Sequence, residues 1–493
     1  MTAAPISTVA IAGGGVVAWS AAAALRRHLR SIEVAVIASP PPADALADRI
    51  GCTLPSIVAF HEDLRLTEDD TVVRAGSGFR LGTRFEGWAA GERDYVHAYG
   101  EYGRALGAAA FHQHWLRAAE SGAATPFDAF SSAAAMAAAD RFVHPDKAEA
   151  KLLLDYDYAL HIDPPRYGEM MRAFALHLGA SEITGAVADV RLRGESGFVD
   201  ALVLDGGREV SADLFIDATG PAAVVRSRLG GERHDWSRWF VADRILYSDG
   251  PATTPPALLD RALAFDAGWS WEAASPTRTS HGLVYASAHL SDEEASRRLE
   301  NTAQAAAIRP GRWAEPWLRN CVAIGDSAVA VEPLEWTNLH LADNAIDRLV
   351  AMMPDRDFCP VELWDYNRQV TAEADRARDF LLLHYATAKR PHDPFWGEAA
   401  QRPLPPSLDH TLTQFRERGR LPFYEEETFS RDSWAAVLVG QGVRPRRIDP
   451  LIDATPPRES DRLMDGLRHS IRSTVEGLPL HSAYFEALAR AAR

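Results

Sequence analysis

Cysteine is scarce: Cys52, Cys321 and Cys359 are the three in 493 residues, far apart and without C-x-x-C spacing. They offer no disulfide framework and no zinc set, and they fit a reducing compartment. No apolar run approaches the roughly 18 residues that a membrane-spanning helix needs. The N-terminus lacks the basic start and long apolar core of a signal peptide, and its first apolar stretch is broken by glycines. These absences predict a soluble, cytoplasmic protein with no membrane partner. Positive charge is also in deficit, 52 Lys and Arg against 68 Asp and Glu for a net charge of −16. That excludes non-specific nucleic-acid binding, which needs clustered cations against phosphate. No internal repeat is visible. What remains is an ordinary globular composition, 47% hydrophobic and 24% charged. The length calls for two or three structural units.

The opening stretch carries the strongest local signal. Val9-Ala-Ile-Ala reads as a short buried strand, Gly13-Gly14-Gly15 turns the chain, and Val16-Val17-Ala18-Trp19 leads into an alanine-rich helix. Gly13, Gly15 and Ala18 occupy the three small positions of G-x-G-x-x-G/A. The first permits the tight turn, the second lets the backbone approach a pyrophosphate, and the third lets helix and strand pack closely. The helix N-terminus adds free N–H groups and a partial positive charge. A second strand, Glu33 to Ser39, follows; Ala38 and Ser39 stand where an Asp or Glu usually takes the ribose hydroxyls. Farther on, period-two alternation over Gly185–Val190 and Asp200–Leu204 predicts a hairpin, with Asp205-Gly206-Gly207 turning toward Leu214-Phe-Ile-Asp217-Ala218-Thr219-Gly220. That last run recurs in FAD-binding oxygenases and disulfide reductases and places Gly220 near an adenosine. Cys321 to Asp326 is a strand ending in Gly325-Asp326, as FAD oxygenases use for the ribityl chain and pyrophosphate.

Further segments carry a family resemblance. They are Gly51-Cys52-Thr53-Leu54-Pro55-Ser56, Gly78-Phe79-Arg80-Leu81-Gly82-Thr83-Arg84-Phe85, Trp269-Ser270-Trp271-Glu272-Ala273-Ala274 and Glu332-Pro333-Leu334-Glu335-Trp336-Thr337-Asn338-Leu339-His340-Leu341. With the glycine motif, they resemble the flavin-dependent tryptophan halogenases. The resemblance implies an α/β fold: a Rossmann-like FAD-binding domain of the glutathione-reductase or aromatic-hydroxylase type, joined to a mostly helical substrate module. It places the FAD module at 1–355, with inserted substrate-side segments near 90–160 and 235–310, and the helical module at 356–493. It implies FAD, reduced by a separate flavin reductase, and a chloride or bromide ion oxidised to hypohalous acid. A catalytic lysine and glutamate then direct the halogen to an indole carbon. Carried over by position, the catalytic residues are Arg80, in place of the lysine, and Glu335. The halide contacts are Thr337 and Asn338. The flavin contacts are Gly13, Gly15, Val16, Ala18, Trp19, Ala38, Ser39, Val187, Gly220, Gly325, Asp326 and Leu334.

Arg80, Ala38, Ala273-Ala274, Trp336 and Asn338 depart from the family pattern at functional positions. An arginine stays protonated and presents no lone pair to an oxidised halogen, so Arg80 acts as a hydrogen-bond donor or is held in an ion pair with Glu335. Three functions stand open: a halogenase acting on an indole-like, aromatic small-molecule or peptidyl substrate, a halide-independent flavin monooxygenase, and a non-catalytic flavin-fold binding protein. Self-association as a homodimer is a further open expectation. The stretch Ser433-Trp434-Ala435-Ala436-Val437 lacks the tyrosines and acid with which relatives grip free tryptophan, so another substrate is expected. His112 and His114, two apart, read as packing residues without metal partners. Ser131 to Asp140 reads as an alanine helix. Leu463, Leu467 and Ile471 mark a late packing helix, and the chain beyond Val361 is mostly helical.

Overall fold

The buried run Thr8–Ala12 (β1) passes through the glycines into the helix Val16–His28 (α1), whose first ten residues are all buried. Its alanines remove the bulk that would hold a helix away from a sheet. The strand Glu33–Ala38 (β2) then returns parallel to β1. A one-turn helix, Leu46–Arg49 (α2), follows. The computed structural model describes residues 4–122, 125–147, 154–253, 255–299 and 303–491. Two compact units are assembled from interleaved segments: Met1–Gly76, Ile162–Leu246 and Gln304–Arg376 in the first, Ser77–His161, Tyr247–Ala303 and Ala377–Arg493 in the second. Among the described residues, no helix is long and apolar enough to cross a membrane.

In the first unit, Leu214–Asp217 (β3) and Cys321–Ala323 (β4) complete a six-stranded sheet in the order Trp317–Leu318, β4, β3, β1, β2, Ser181–Thr184. All its pairings are parallel except that of Trp317–Leu318 with β4. Parallel strands covered on both faces read as continuous apolar runs, and β1 and β3 do. Against this sheet packs an antiparallel meander of Val187–Leu192, Val199–Leu204 and Glu209–Val210. The shared core includes Ala10, Ile37, Val190, Leu202, Phe215 and Cys321. The meander corrects one expectation. The Asp205-Gly206-Gly207 turn returns Val199–Leu204 onto the two-residue strand Glu209–Val210, and β3 belongs to the other sheet. The helix Thr337–Ala351 (α3) ends the route from β4.

In the second unit the strands Thr279–Tyr285, Gly268–Ala274, Leu259–Phe265, Gly82–Glu86 and Tyr95–Ala98 lie side by side in that order. Gly82–Glu86 runs parallel to Leu259–Phe265 and antiparallel to Tyr95–Ala98. A separate ladder pairs Gly78–Arg80 with Ala159–His161. The alanine run forms a helix over Ser132–Ala138, with the Ser131 hydroxyl accepting the Ala134 N–H as its N-cap. The late helix spans Pro457–Glu476, but the face it buries is Ser460, Met464, Ile471 and Val475. Leu463 is exposed, because the stripe of 3.6-residue period runs through Met464.

Candidate functional site

The turns of the first unit bring together the residues expected to hold a dinucleotide. Gly13 has φ +130°, and a Cβ there would lie 2.4 Å from the Ala218 carbonyl oxygen beyond β3, so only glycine fits. A Cβ on Gly14 would meet the carbonyl oxygen of Ser39 at 2.6 Å, just past Ala38 at the end of β2. Gly15 faces the Asp48 carboxylate, and Val16 and Ala18 are buried in the first turn of α1. Trp19 is buried, with the Arg172 guanidinium 5.9 Å from its ring centre. Gly220, at φ +87°, lies against Ala45 and Pro42, and Gly325 against the Val17 side chain. The Asp326 carboxylate accepts the Ala47 N–H at 2.7 Å. Three strand-to-helix turns therefore close on one short segment, 42–48. Val187 opens the meander, paired with Leu204. At Gly13 and Gly14, beside the N-terminus of α1, a Cβ would strike backbone, and at Gly15, Gly220 and Gly325 it would press on side chains.

The start of α3 is unusual. The turn Leu334–Trp336 enters it through two consecutive non-glycine residues in the left-handed region, Glu335 at φ 57° and Trp336 at φ 60°. Each costs about 1–3 kcal/mol, and such outliers persist where the surroundings over-determine them. Leu334, Glu335, Trp336 and Thr337 are all buried. The Thr337 hydroxyl has no hydrogen-bond partner among the described residues, an orphaned donor beside a helix N-terminus that favours an anion. The Asn338 amide is engaged within the protein: it donates to the Asp326 carboxylate at 3.2 Å and to the Val331 carbonyl at 3.0 Å. His340 anchors the helix, with Nδ1 2.6 Å from the Ser56 hydroxyl and Nε2 3.2 Å from Glu373. Burial alone would raise the Glu373 carboxyl, but His340 and Arg348 hold it down at about 2.

Arg80 and Glu335 belong to different units. In the second unit Arg80 is fully buried, and the carboxylate found on it is Asp260, at 2.5 Å from Nε. Its other nitrogens donate to the Tyr99 hydroxyl and, at 2.8 Å, to the Thr83 hydroxyl. His161 Nε2 bonds the second oxygen of Asp260. Burial pushes the Asp260 carboxyl up, yet Arg80 and His161 together hold it below its ordinary value. Asp260 belongs to no motif in the sequence. Its signal is faint: an acid at an inward position of the alternating strand Leu259–Phe265, sharing a face with Ala262.

Trp269 and Trp271 face the interior of their strand, and the Trp269 indole N–H donates to the Tyr385 hydroxyl at 2.8 Å. The Trp271 ring lies over Gly282, where a Cβ would come within 1.9 Å of it. Trp434 is buried in a cluster with Phe380, which stacks on Phe429 at 3.8 Å between ring centres. His112 Nε2 meets the Gly419 carbonyl and His114 Nδ1 the Ser460 hydroxyl, packing roles for both.

The model of the tryptophan halogenase family matches residues 8–457. The tryptophan 6-halogenase of Streptomyces toxytricini is 26% identical over 97% of this chain and 98% of its own. The tryptophan 7-halogenase of Lentzea aerocolonigenes is 25% identical over 96% of this chain and 97% of its own. Among solved structures, a flavin-dependent halogenase from Brevundimonas sp. BAL3 is 35% identical, with a TM-score of 0.92 over 98% of this chain and 99% of that one. A flavin-dependent halogenase from Xanthomonas campestris is 33% identical, with a TM-score of 0.91 over 98% of both chains.

Proposed function

Because the chain belongs to the tryptophan halogenase family, we propose that it halogenates an electron-rich, indole-type ring other than free tryptophan. Reduced FAD and O2 supply the oxidation that makes a halide electrophilic. The observation that carries this reading is the convergence, within one unit, of the opening glycines, Gly220 and Gly325-Asp326 on the segment 42–48. Gly13, Gly15, Val16, Ala18, Trp19, Ala38, Ser39, Val187, Gly220, Gly325, Asp326 and Leu334 are the residues proposed to hold the flavin. Thr337 offers its unpartnered hydroxyl at the head of α3 to the halide. Asn338 lends backbone only, since its side chain is spent on Asp326 and Val331. Glu335 is the carboxylate for the ring proton. Arg80 is the donor at the position of the family lysine, held in one orientation by Asp260. Tight packing around Trp434 supports a substrate without an amino-acid head group. A diffusible flavin reductase is the partner that this chemistry requires.

The test is incubation with a flavin reductase, NADH, bromide or chloride, and indole, with free tryptophan as the comparison substrate. Halogenated indole, with free tryptophan turned over more slowly, is the expected result. Arg80→Lys keeps a cation beside Asp260 and restores the family side chain, and a severalfold rise in bromination is expected of it. A second reading rests on Arg80 itself, whose guanidinium cannot become a neutral amine. Oxygenated product formed equally with and without halide would establish a monooxygenase and overturn halogenation.

A further inference from the structure

The proposed flavin cradle already holds an anion of its own. Asp48, in α2, accepts the Val17 N–H at 2.9 Å, and the Val16 N–H also acts on the same carboxylate. It does so directly over the second glycine of the motif: a Cβ built on Gly15 would lie 2.3 Å from Asp48 Oδ1 and 2.4 Å from its Cγ. In a G-x-G-x-x-A turn that space is reserved for a pyrophosphate. A second acid stands beside it. Asp326 accepts from Ala47, the residue before Asp48, and from the Asn338 amide. Burial pushes the Asp48 carboxyl up to about 6, against the pull of the Val17 N–H and of Arg49. Burial pushes Asp326 up to about 7, and Asp48 and Asp44 add to the rise. The charged groups acting on Asp48 are thus Arg49 on its own turn, Asp326 from the turn after β4, and the positive end of α1.

We propose that Asp48 is an internal competitor for the N-terminus of α1, so that a dinucleotide pyrophosphate binds there only by displacing it. This rests on the flavin reading above. Two negative groups cannot share one pair of N–H donors, so the turn carrying Asp48 must swing away as the phosphates arrive. Apparent affinity is reduced by the fraction of chains in which Asp48 still fills the place. Such a site lets spent cofactor go as readily as it admits fresh cofactor, which suits a chain fed by a separate reductase.

The experiment is a titration of the full chain with oxidised FAD, followed by flavin fluorescence, for the native protein, Asp48→Asn and Asp48→Ala. The first variant keeps the shape and loses the charge; the second removes the cap outright, and the two together guard against one failing to fold. Both are expected to bind FAD about tenfold more tightly at pH 8, the fold-change that matches one lost helix cap. Variants that bind FAD no more tightly than a native chain that does bind it overturn the competitor and leave the flavin reading standing. No binding by any of the three overturns both.

Discussion

Glu335→Gln is expected to lower bromination of indole by about 10²–10⁴-fold, the usual worth of a positioned acid–base group, while leaving thermal unfolding unchanged. When a ring carbon takes an electrophilic halogen, positive charge builds on the ring and a proton must leave. A carboxylate stabilises that charge and accepts the proton; the isosteric amide does neither. Glu335 is buried at the head of α3 with its backbone in the left-handed region. A desolvated carboxylate acts more strongly on a developing charge than one in water. Measuring initial rates of both proteins with saturating reduced flavin checks it. A loss under about threefold would remove Glu335 from the chemistry.

The second large effect falls on stability. Asp260→Ala leaves the fully buried guanidinium of Arg80 without its carboxylate and His161 without an acceptor. Breaking a buried pair from one side costs about 3–5 kcal/mol, and urea unfolding reads it. Replacing both partners with apolar residues, Arg80→Met with Asp260→Leu, is expected to return most of the loss, because no buried charge is then stranded. Asp260 is held below its ordinary value in the fold, so its contribution is complete above the normal carboxylate range and is lost as pH falls through the folded value. The cost of Asp260→Ala is therefore full at neutral pH and shrinks in acid. Equal destabilisation by the single and double substitutions would show that packing, not charge, governs this cluster.

What could be read from the chain alone divides along physical lines. The glycine turn, β1, α1 and the Gly325-Asp326 strand end were legible because each is specified within about ten consecutive residues by small side chains and apolar runs. The turn at Asp205–Gly207 was legible as a turn, but not its destination, since two strands of similar pattern compete to follow it. Asp260 was not legible as the partner of Arg80: the two lie 180 positions apart and meet because Leu259–Phe265 runs beside Gly82–Glu86. Asp48 was missed for the same kind of reason. Nothing in Ala45-Leu46-Ala47-Asp48-Arg49 shows that a four-residue turn will aim its acid at a helix end 31 residues earlier. Arg80 also looks less singular beside the whole composition. Of 52 basic residues, Lys147, Lys151 and Lys389 are the lysines, so arginine is what this chain uses for a cation almost everywhere.

The paired left-handed residues before α3 bear on how the proposed halide seat tolerates change. Tryptophan and serine both carry an unbranched Cβ and pay comparable penalties at these angles, so exchanging Trp336 for serine alters what fills the space without altering where the chain goes. The path is imposed from both sides, by the packed turn before it and by the His340 anchor one turn on. Aim and occupancy are thus set by separate parts of the molecule. The side chains packed around Thr337 can be exchanged one by one while the axis of the helix behind them stays put.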